Sequence, residues 1–316
     1  MSGYISGPPH CKTPPTNTKM FKLALLTTLV TAVMSVMAYT PPWTTLPPTP
    51  ELPRSYHQAH AQINNISLWY GLFGPRLGEA GNPVVLLHGG KISSRWWGHL
   101  IKGLESDFSV IAVDTRAHGR STDDLSVPLS YNQFAADGIA LLDYLKIPKA
   151  SFVGWSDGAV TSLTIAMTYP SRADRIIAFG ANYRPDQANT TGLAGITFGE
   201  DLYNREKTQY LELDPAPNAN FEEFYDRVAQ MQAVEPFWDK RDFAKIPVFG
   251  EDPDAPLVLV ATGDHEEALI RTVPGEIHGM IPNSQLTVLP GVSHFAPLQD
   301  PETFAVSVRA FLRKAR

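Results

Sequence analysis

Cysteine occurs once in the 316 residues, at Cys11, which excludes a disulfide framework and a thiolate zinc site. Basic residues are outnumbered, 26 Lys and Arg against 32 Asp and Glu, and the net charge of −6 argues against nucleic acid or any other polyanion as a partner. Long hydrophobic runs are scarce. The one that stands out, Leu23 to Met37, carries Thr27, Thr28, Thr31 and Ser35 and falls short of the roughly 20 apolar residues that a comfortable membrane span needs. His57-Gln58-Ala59-His60 lacks further ligands, so no metal site is expected, and the chain has no internal repeat. What remains, 43% hydrophobic and 18% charged, is the composition of a globular protein rather than of a disordered, collagenous or coiled-coil one.

Residues 1–53 hold ten prolines and, among them, the layout of a secretory signal. Lys19 and Lys22 flank Met20, the apolar run follows, and Val36-Met37-Ala38 offers small residues for cleavage after Ala38. The expectation is a polar leader and signal peptide over 1–38 and an extended Pro-rich linker over 39–59. Cleavage would remove Cys11 and leave a secreted protein without a stable membrane span; an uncleaved anchor is the alternative. The sequons Asn65-Ile66-Ser67 and Asn189-Thr190-Thr191 suit the secretory route.

From residue 60 apolar strands alternate with amphipathic helices, the pattern of a mostly parallel sheet covered on both faces. Strands are expected at Pro83–Leu87, Val110–Val113, Ser151–Val153, Arg175–Phe179, Leu257–Val260 and Leu286–Leu289. Helices are expected at Tyr131–Leu145, Ala159–Tyr169 and Thr303–Leu312, each with apolar residues on one face. The alternation stops between residues 185 and 254, where aromatics such as Tyr203, Tyr210, Phe221, Phe224 and Tyr225 recur through helix-like segments. That stretch reads as an insert, a lid whose aromatics form its own small core and line a pocket. The α/β core is then 60–184 and 255–316.

The chemistry sits where strands end. Gly154-Trp155-Ser156-Asp157-Gly158 lies between a strand and a helix, the context in which G-x-S-x-G exposes a nucleophilic serine on a tight turn. The flanking glycines are required because a Cβ there would collide with neighbouring elements. The helix N-terminus beside the hydroxyl can stabilise an oxyanion. Asp157 N–H is one expected donor and Gly90 N–H, in His88-Gly89-Gly90, the other; losing one such donor costs about 3–4 kcal/mol of transition-state stabilisation. His294, in a loop after the strand ending at Leu289, is the expected general base, since ligands gather at the carboxyl ends of strands in such sheets.

These residues, with Asp114-Thr115-Arg116-Ala117-His118-Gly119-Arg120-Ser121 and Gly263-Asp264-His265-Glu266, resemble the α/β-hydrolase superfamily over most of residues 65–315. The Gly-Trp-Ser-Asp-Gly elbow is similar to that of valacyclovirase-like (biphenyl hydrolase-like) serine hydrolases. The resemblance implies the order Ser, acid, His. It places the acid at Glu266, three residues after the glycine ending its strand, with Asp264 as the rival. It implies no cofactor and a small-molecule substrate, a carboxylic ester or lactone by default. Aminopeptidase, C–C hydrolase and cofactor-free haloperoxidase chemistry use the same constellation, and a lapsed binding protein would share the fold. Two departures stand out: Ala117 where the family commonly has glycine, expected to recast that turn slightly, and glutamate in place of aspartate.

Other residues take plainer readings. The Asp157 side chain either caps its helix or reads a substrate amine. Trp155 packs beside the elbow, and of Trp96 and Trp97 one is expected to dock on the core and the other to reach the pocket. His88 forms its loop, Asp114 and Arg116 serve structure, and His99, His118, His265 and His278 are surface or turn residues.

Overall fold

The computed structural model describes Gly3, Gly7 and residues 40–189 and 199–315, in two units, Met1–Thr40 and Pro41–Arg316. Of the first unit only Gly3, Gly7 and Thr40 are described, all exposed. Cys11, the apolar run, the cleavage site and the Thr190 and Thr191 of the second sequon lie outside the described residues. No helix among the described residues is long and apolar enough to cross a membrane.

The second unit is built on eight strands: β1 (His57–Ile63), β2 (Ile66–Phe73), β3 (Val84–Leu87), β4 (Val110–Val113), β5 (Ala150–Trp155), β6 (Ala173–Phe179), β7 (Leu257–Gly263) and β8 (Gln285–Leu289). Their order across the sheet is β1-β2-β4-β3-β5-β6-β7-β8. The β1–β2 and β2–β4 pairings are antiparallel and the rest parallel. β3, β4, β5 and β7 are buried along their whole length, which is why they show in the sequence as unbroken apolar runs. β1 is an edge strand of mostly polar residues, with only Ala61 buried, and no such run marks it.

Nine helices are described: α1 (Gly98–Leu104), α2 (Tyr131–Tyr144), α3 (Asp157–Thr168), α4 (Gly199–Leu213), α5 (Phe221–Val234), α6 (Lys240–Phe243), α7 (Val273–Met280), α8 (Ala296–Gln299) and α9 (Pro301–Leu312). Side-chain caps start several of them: Ser130 accepts from Gln133 N–H, Asn220 from Glu223 N–H, and Asp300 from Thr303 N–H with Pro301 in the first turn. Two apolar cores sandwich the sheet. One joins it to α2, α3 and α7 through residues such as Leu142, Leu163 and Ile277; the other joins it to α1 and α9 through Leu100, Ile101, Phe304 and Val308. Trp96 and Trp97 both belong to the second core, 1% and 0% exposed, so neither reaches the pocket as expected of one of them. Both rings pack on Trp155, and Trp97 also on Phe304, which draws them into the core.

The extended linker expected over 39–59 takes a different form. Its last residues already belong to β1, and Pro41 onward belongs to the second unit. Trp43 stacks on His265 at 3.8 Å, and Leu46 and Pro50 are buried. Prolines leave carbonyls without neighbouring N–H groups to answer them. Here Arg205 donates to the carbonyls of Leu46 and Pro47, and Gln299 donates to that of Thr45.

Helices α4 to α6 stand between β6 and β7, at the lid position. Their aromatics pack on one another: Tyr210 stacks on Phe224 at 4.5 Å, and Tyr203 and Tyr225 meet Phe221 edge-on or tilted.

Candidate active site

Ser156 sits between β5 and α3 at φ +56° and ψ −119°, a conformation that L residues rarely adopt. Its N–H donates to Phe179 O at 2.9 Å, which ties the turn to the neighbouring strand. A Cβ on Gly154 would strike the Gly158 carbonyl, and one on Gly158 would strike Leu87 O, so both glycines are demanded by close approach. The N–H groups of Gly90 and Asp157 donate no hydrogen bond among the described residues.

Loops after β7 and β8 bring an imidazole to the same place. His294 Nδ1 lies 2.8 Å from Glu266 Oε1, which also accepts from Ala268 N–H at 3.0 Å. Both side chains are buried. Asp264 turns elsewhere: it pairs with His265 Nδ1 at 2.7 Å, accepts from Val292 N–H, and is 38% exposed. The structure therefore brings Glu266, not Asp264, to His294. With Nδ1 committed to Glu266, Nε2 is the ring nitrogen left for chemistry in the cavity.

Glu267 had no role in the sequence reading, yet it holds the backbone of this loop. Its carboxylate accepts from Ser293 Oγ at 3.1 Å and from His294 N–H at 2.9 Å. Gln299 completes the clamp through Ser293 N–H at 2.7 Å and Ser293 Oγ at 2.9 Å. Burial alone would push the His294 imidazole down; the charges of Glu266, Glu267 and Asp157 override it and hold the ring above its ordinary value.

The Asp157 side chain forms no capping hydrogen bond to its helix. Its carboxylate accepts from Tyr131 OH at 2.9 Å and from Gln232 Nε2 at 3.0 Å, bracing the elbow helix against α2 and the lid helix α5. Burial pushes this carboxyl up. His88 bonds to Gly89 O within its own loop and accepts from Thr115 N–H in the loop after β4, tying the two loops together. Asp114, buried, pairs with the half-buried Arg120, and Arg116 pairs with Asp137 in the interior. Ala117 keeps a left-handed backbone, φ +68°, so the turn is held in the conformation a glycine would favour rather than recast. His118 is a turn residue as expected, but it is 1% exposed.

Ser156, His294, Gly90 and Trp155 line one cavity of about 240 Å³, closed from the lid side by Leu202, Tyr203, Glu206, Tyr225 and Gln232. A second cavity, of about 270 Å³, lies between the Ala117–Leu125 loop and the α4–α5 turn and contains neither Ser156 nor His294. Among the described residues no group of three or more His, Cys, Asp or Glu is arranged around a metal position.

Comparison with known proteins bears on the fold and the family. A human protein, serine hydrolase BPHL, is 34% identical over 132 residues, 40% of this chain and 44% of the relative. The 3-oxoadipate enol-lactonase 2 of Acinetobacter baylyi is 34% identical over 116 residues, 36% of this chain and 41% of the relative. The matches thus span less than half the length of either. Among solved structures, the enol-lactonase of Burkholderia xenovorans superposes with a TM-score of 0.63 at 22% identity, covering 81% of this chain and all of that one. A meta-cleavage product hydrolase of Pseudomonas fluorescens does so at 0.61 and 18%, covering 83% and 99%. These structural likenesses speak to fold alone. The model of the Alpha/beta hydrolase family matches residues 84–307, from the first buried parallel strand through the loop of His294 into the last helix, and the chain belongs to that family.

Proposed function

We propose that the protein is a serine hydrolase that cleaves a carboxylic ester or lactone of a small to medium, apolar or aromatic-containing substrate through an acyl-enzyme. The observation that carries this reading is the shared cavity: Ser156 on its strained elbow and His294 paired with Glu266 open into the same space. His294 Nε2 takes the Ser156 proton as Oγ attacks the acyl carbon. The Gly90 and Asp157 amides, which have no other partner among the described residues, hold the oxyanion. Collapse expels the alcohol, which takes the proton from His294. Water, activated by the same ring, then releases the acid and restores Ser156. Glu266 orients the imidazole and stabilises its charged form.

Steady-state hydrolysis of p-nitrophenyl acetate and butyrate tests the reading. Wild type is expected to hydrolyse at least one of them, and Ser156→Ala and His294→Ala to lose about ten-thousandfold or more in kcat. A wild type no faster than Ser156→Ala, with a serine that also ignores a fluorophosphonate probe, would make the protein a binding protein on a hydrolase fold. We also propose secretion, on the strength of the signal-like segment and of Asn65, which is exposed in the β1–β2 turn where a glycan has room. Sequencing the N-terminus of secreted material tests it: Tyr39 first supports cleavage, and an intact Leu23–Met37 run opposes it.

A further inference from the structure

Two side chains in the Ser156 cavity take no part in the proposed hydrolysis, and among the described residues both are without a hydrogen-bond or ion-pair partner. Lys91 follows Gly90 directly, and its ammonium stands 4.0 Å from the centre of the Tyr225 ring, with no carboxylate in ion-pair distance among the described residues. Glu206 descends from α4, is 7% exposed, and makes no hydrogen bond among the described residues. Its carboxyl oxygens are not sealed in the interior but keep contact with the cavity, so a group that answers them comes from there. The neighbouring Asp157 shows the contrast, since Tyr131 and Gln232 satisfy it.

The surroundings of Glu206 fix its state. Lys91 faces it from the loop after β3, Tyr225 and Gln232 from α5, Tyr203 from its own helix, and His294 from the loop after β8; Asp157 stands behind Gly90. Gln232 is committed to Asp157 and His294 to Glu266, and among the described residues Lys91 is the charge that bears on Glu206. Burial pushes the Glu206 carboxyl up to about 8 even against that cation. At neutral pH the two groups therefore present a cation and a neutral O–H donor in the same cavity as the nucleophile. An ammonium group on the substrate would meet the unneutralised Lys91, and an alkyl group would leave both polar ends unanswered. An anionic acceptor answers both.

We propose that Lys91 and Glu206 form the recognition end of the cavity and that the substrate carries a carboxylate besides its ester. This deepens the hydrolase reading and rests on the cavity being the substrate site. Above the Glu206 transition the ionised carboxylate repels such a substrate, so recognition weakens as pH rises through about 8.

Calorimetric titration of Ser156→Ala protein with adipate, hexane-1,6-diol and 1,6-diaminohexane tests the proposal without any turnover. Each ligand carries the same group at both ends, so its orientation does not matter. Adipate is expected to bind about tenfold or more tighter than the diol near neutral pH, the worth of one charge-assisted hydrogen bond. Adding Lys91→Met is expected to abolish that preference and Lys91→Arg to keep it; adding Glu206→Gln is expected to keep it while removing its loss above pH 8. A preference for the diamine, equal affinities for the three ligands, or an adipate preference that survives Lys91→Met would overturn the proposal. Failure of the hydrolase reading would show separately, as a wild-type Ser156 inert to fluorophosphonate.

Discussion

His118 and His294 are both buried, and the protein moves them in opposite directions. His118 bonds through Nδ1 to Arg116 O at 2.8 Å, leaves Nε2 without a partner, and is surrounded by Phe134, Phe224 and the ring of His88. Burial, then the nearby His88, pushes it down to about 3. His294 suffers the same burial, but the charges of Glu266, Glu267 and Asp157 outweigh it. The difference lies in the carboxylates and not in the depth of the ring. A buried imidazole alone is an inert neutral group; a buried imidazole with an acid on Nδ1 can receive a proton.

The largest effect should come from taking that acid away. Glu266→Gln keeps the size of the side chain and removes its charge, so kcat on p-nitrophenyl butyrate is expected to fall by about a thousandfold to ten-thousandfold. Asp264→Asn, two residues away and turned to His265, should stay within a few-fold of wild type. If the two variants exchange these outcomes, the contrast between the histidines is misplaced and Asp264 is the acid.

Glu267→Gln sharpens the comparison at an intermediate scale. It removes one of the charges that raise His294 and one acceptor of the clamp on Ser293 and His294 N–H. Catalysis needs the neutral ring, so a raised value places the acid limb of the pH–rate profile higher. The variant's acid limb should therefore shift to lower pH, with kcat on the plateau lower by about tenfold. A clamp that only shaped the loop would lower kcat and leave the limb where it was.

The sequence shows these regions unevenly, for physical reasons. β3 to β7 are visible because burial on both faces writes apolar runs, and β8 shows through its leucines and valine although Leu286 and Val288 are exposed at the far edge; β1, polar and at the other edge, leaves no such trace. Ser156 is legible because the elbow needs its glycines at fixed spacing around the nucleophile. Glu266 and Asp264 both lie within reach of a short loop, and only the tertiary course of that loop separates them. Glu267, Gln232 and Glu206 act across the fold. Gln232 meets Asp157 over 75 positions of chain, a pairing that no local spacing announces.

At the His118 end, the expected effects are on stability. His118 is neutral in the folded protein down to about pH 3 and takes a proton near 6.5 once unfolded. The unfolded chain thus binds the extra proton between those values, so wild-type stability should fall as pH drops through that window. His118→Asn can keep a donor toward Arg116 O and removes the titration. Its thermal midpoint should decline less between pH 6.5 and 3 than that of wild type, with ester hydrolysis at neutral pH within a few-fold. An unchanged decline would mean that His118 is not the group the acid attacks.

The smallest effect tests the turn that carries His118. Ala117 is held at φ +68°, where its Cβ crowds the backbone and a glycine would have none. The hydrogen bond from Ala117 N–H to Thr122 O and the Asp114–Arg120 and Arg116–Asp137 pairs fix the conformation around it, so the strain has no local release. Ala117→Gly removes that strain and also loosens the unfolded chain, two contributions of opposite sign. Because Ala117 stands in the left-handed region, relief should prevail, giving about 1 kcal/mol of added stability and a thermal midpoint about 2–4 °C higher. Ser156, also left-handed at φ +56°, cannot be treated the same way without losing its nucleophile. A lower midpoint for Ala117→Gly would mean that the methyl group's burial, at 6% exposure, outweighs its strain, and that the alanine is retained for packing.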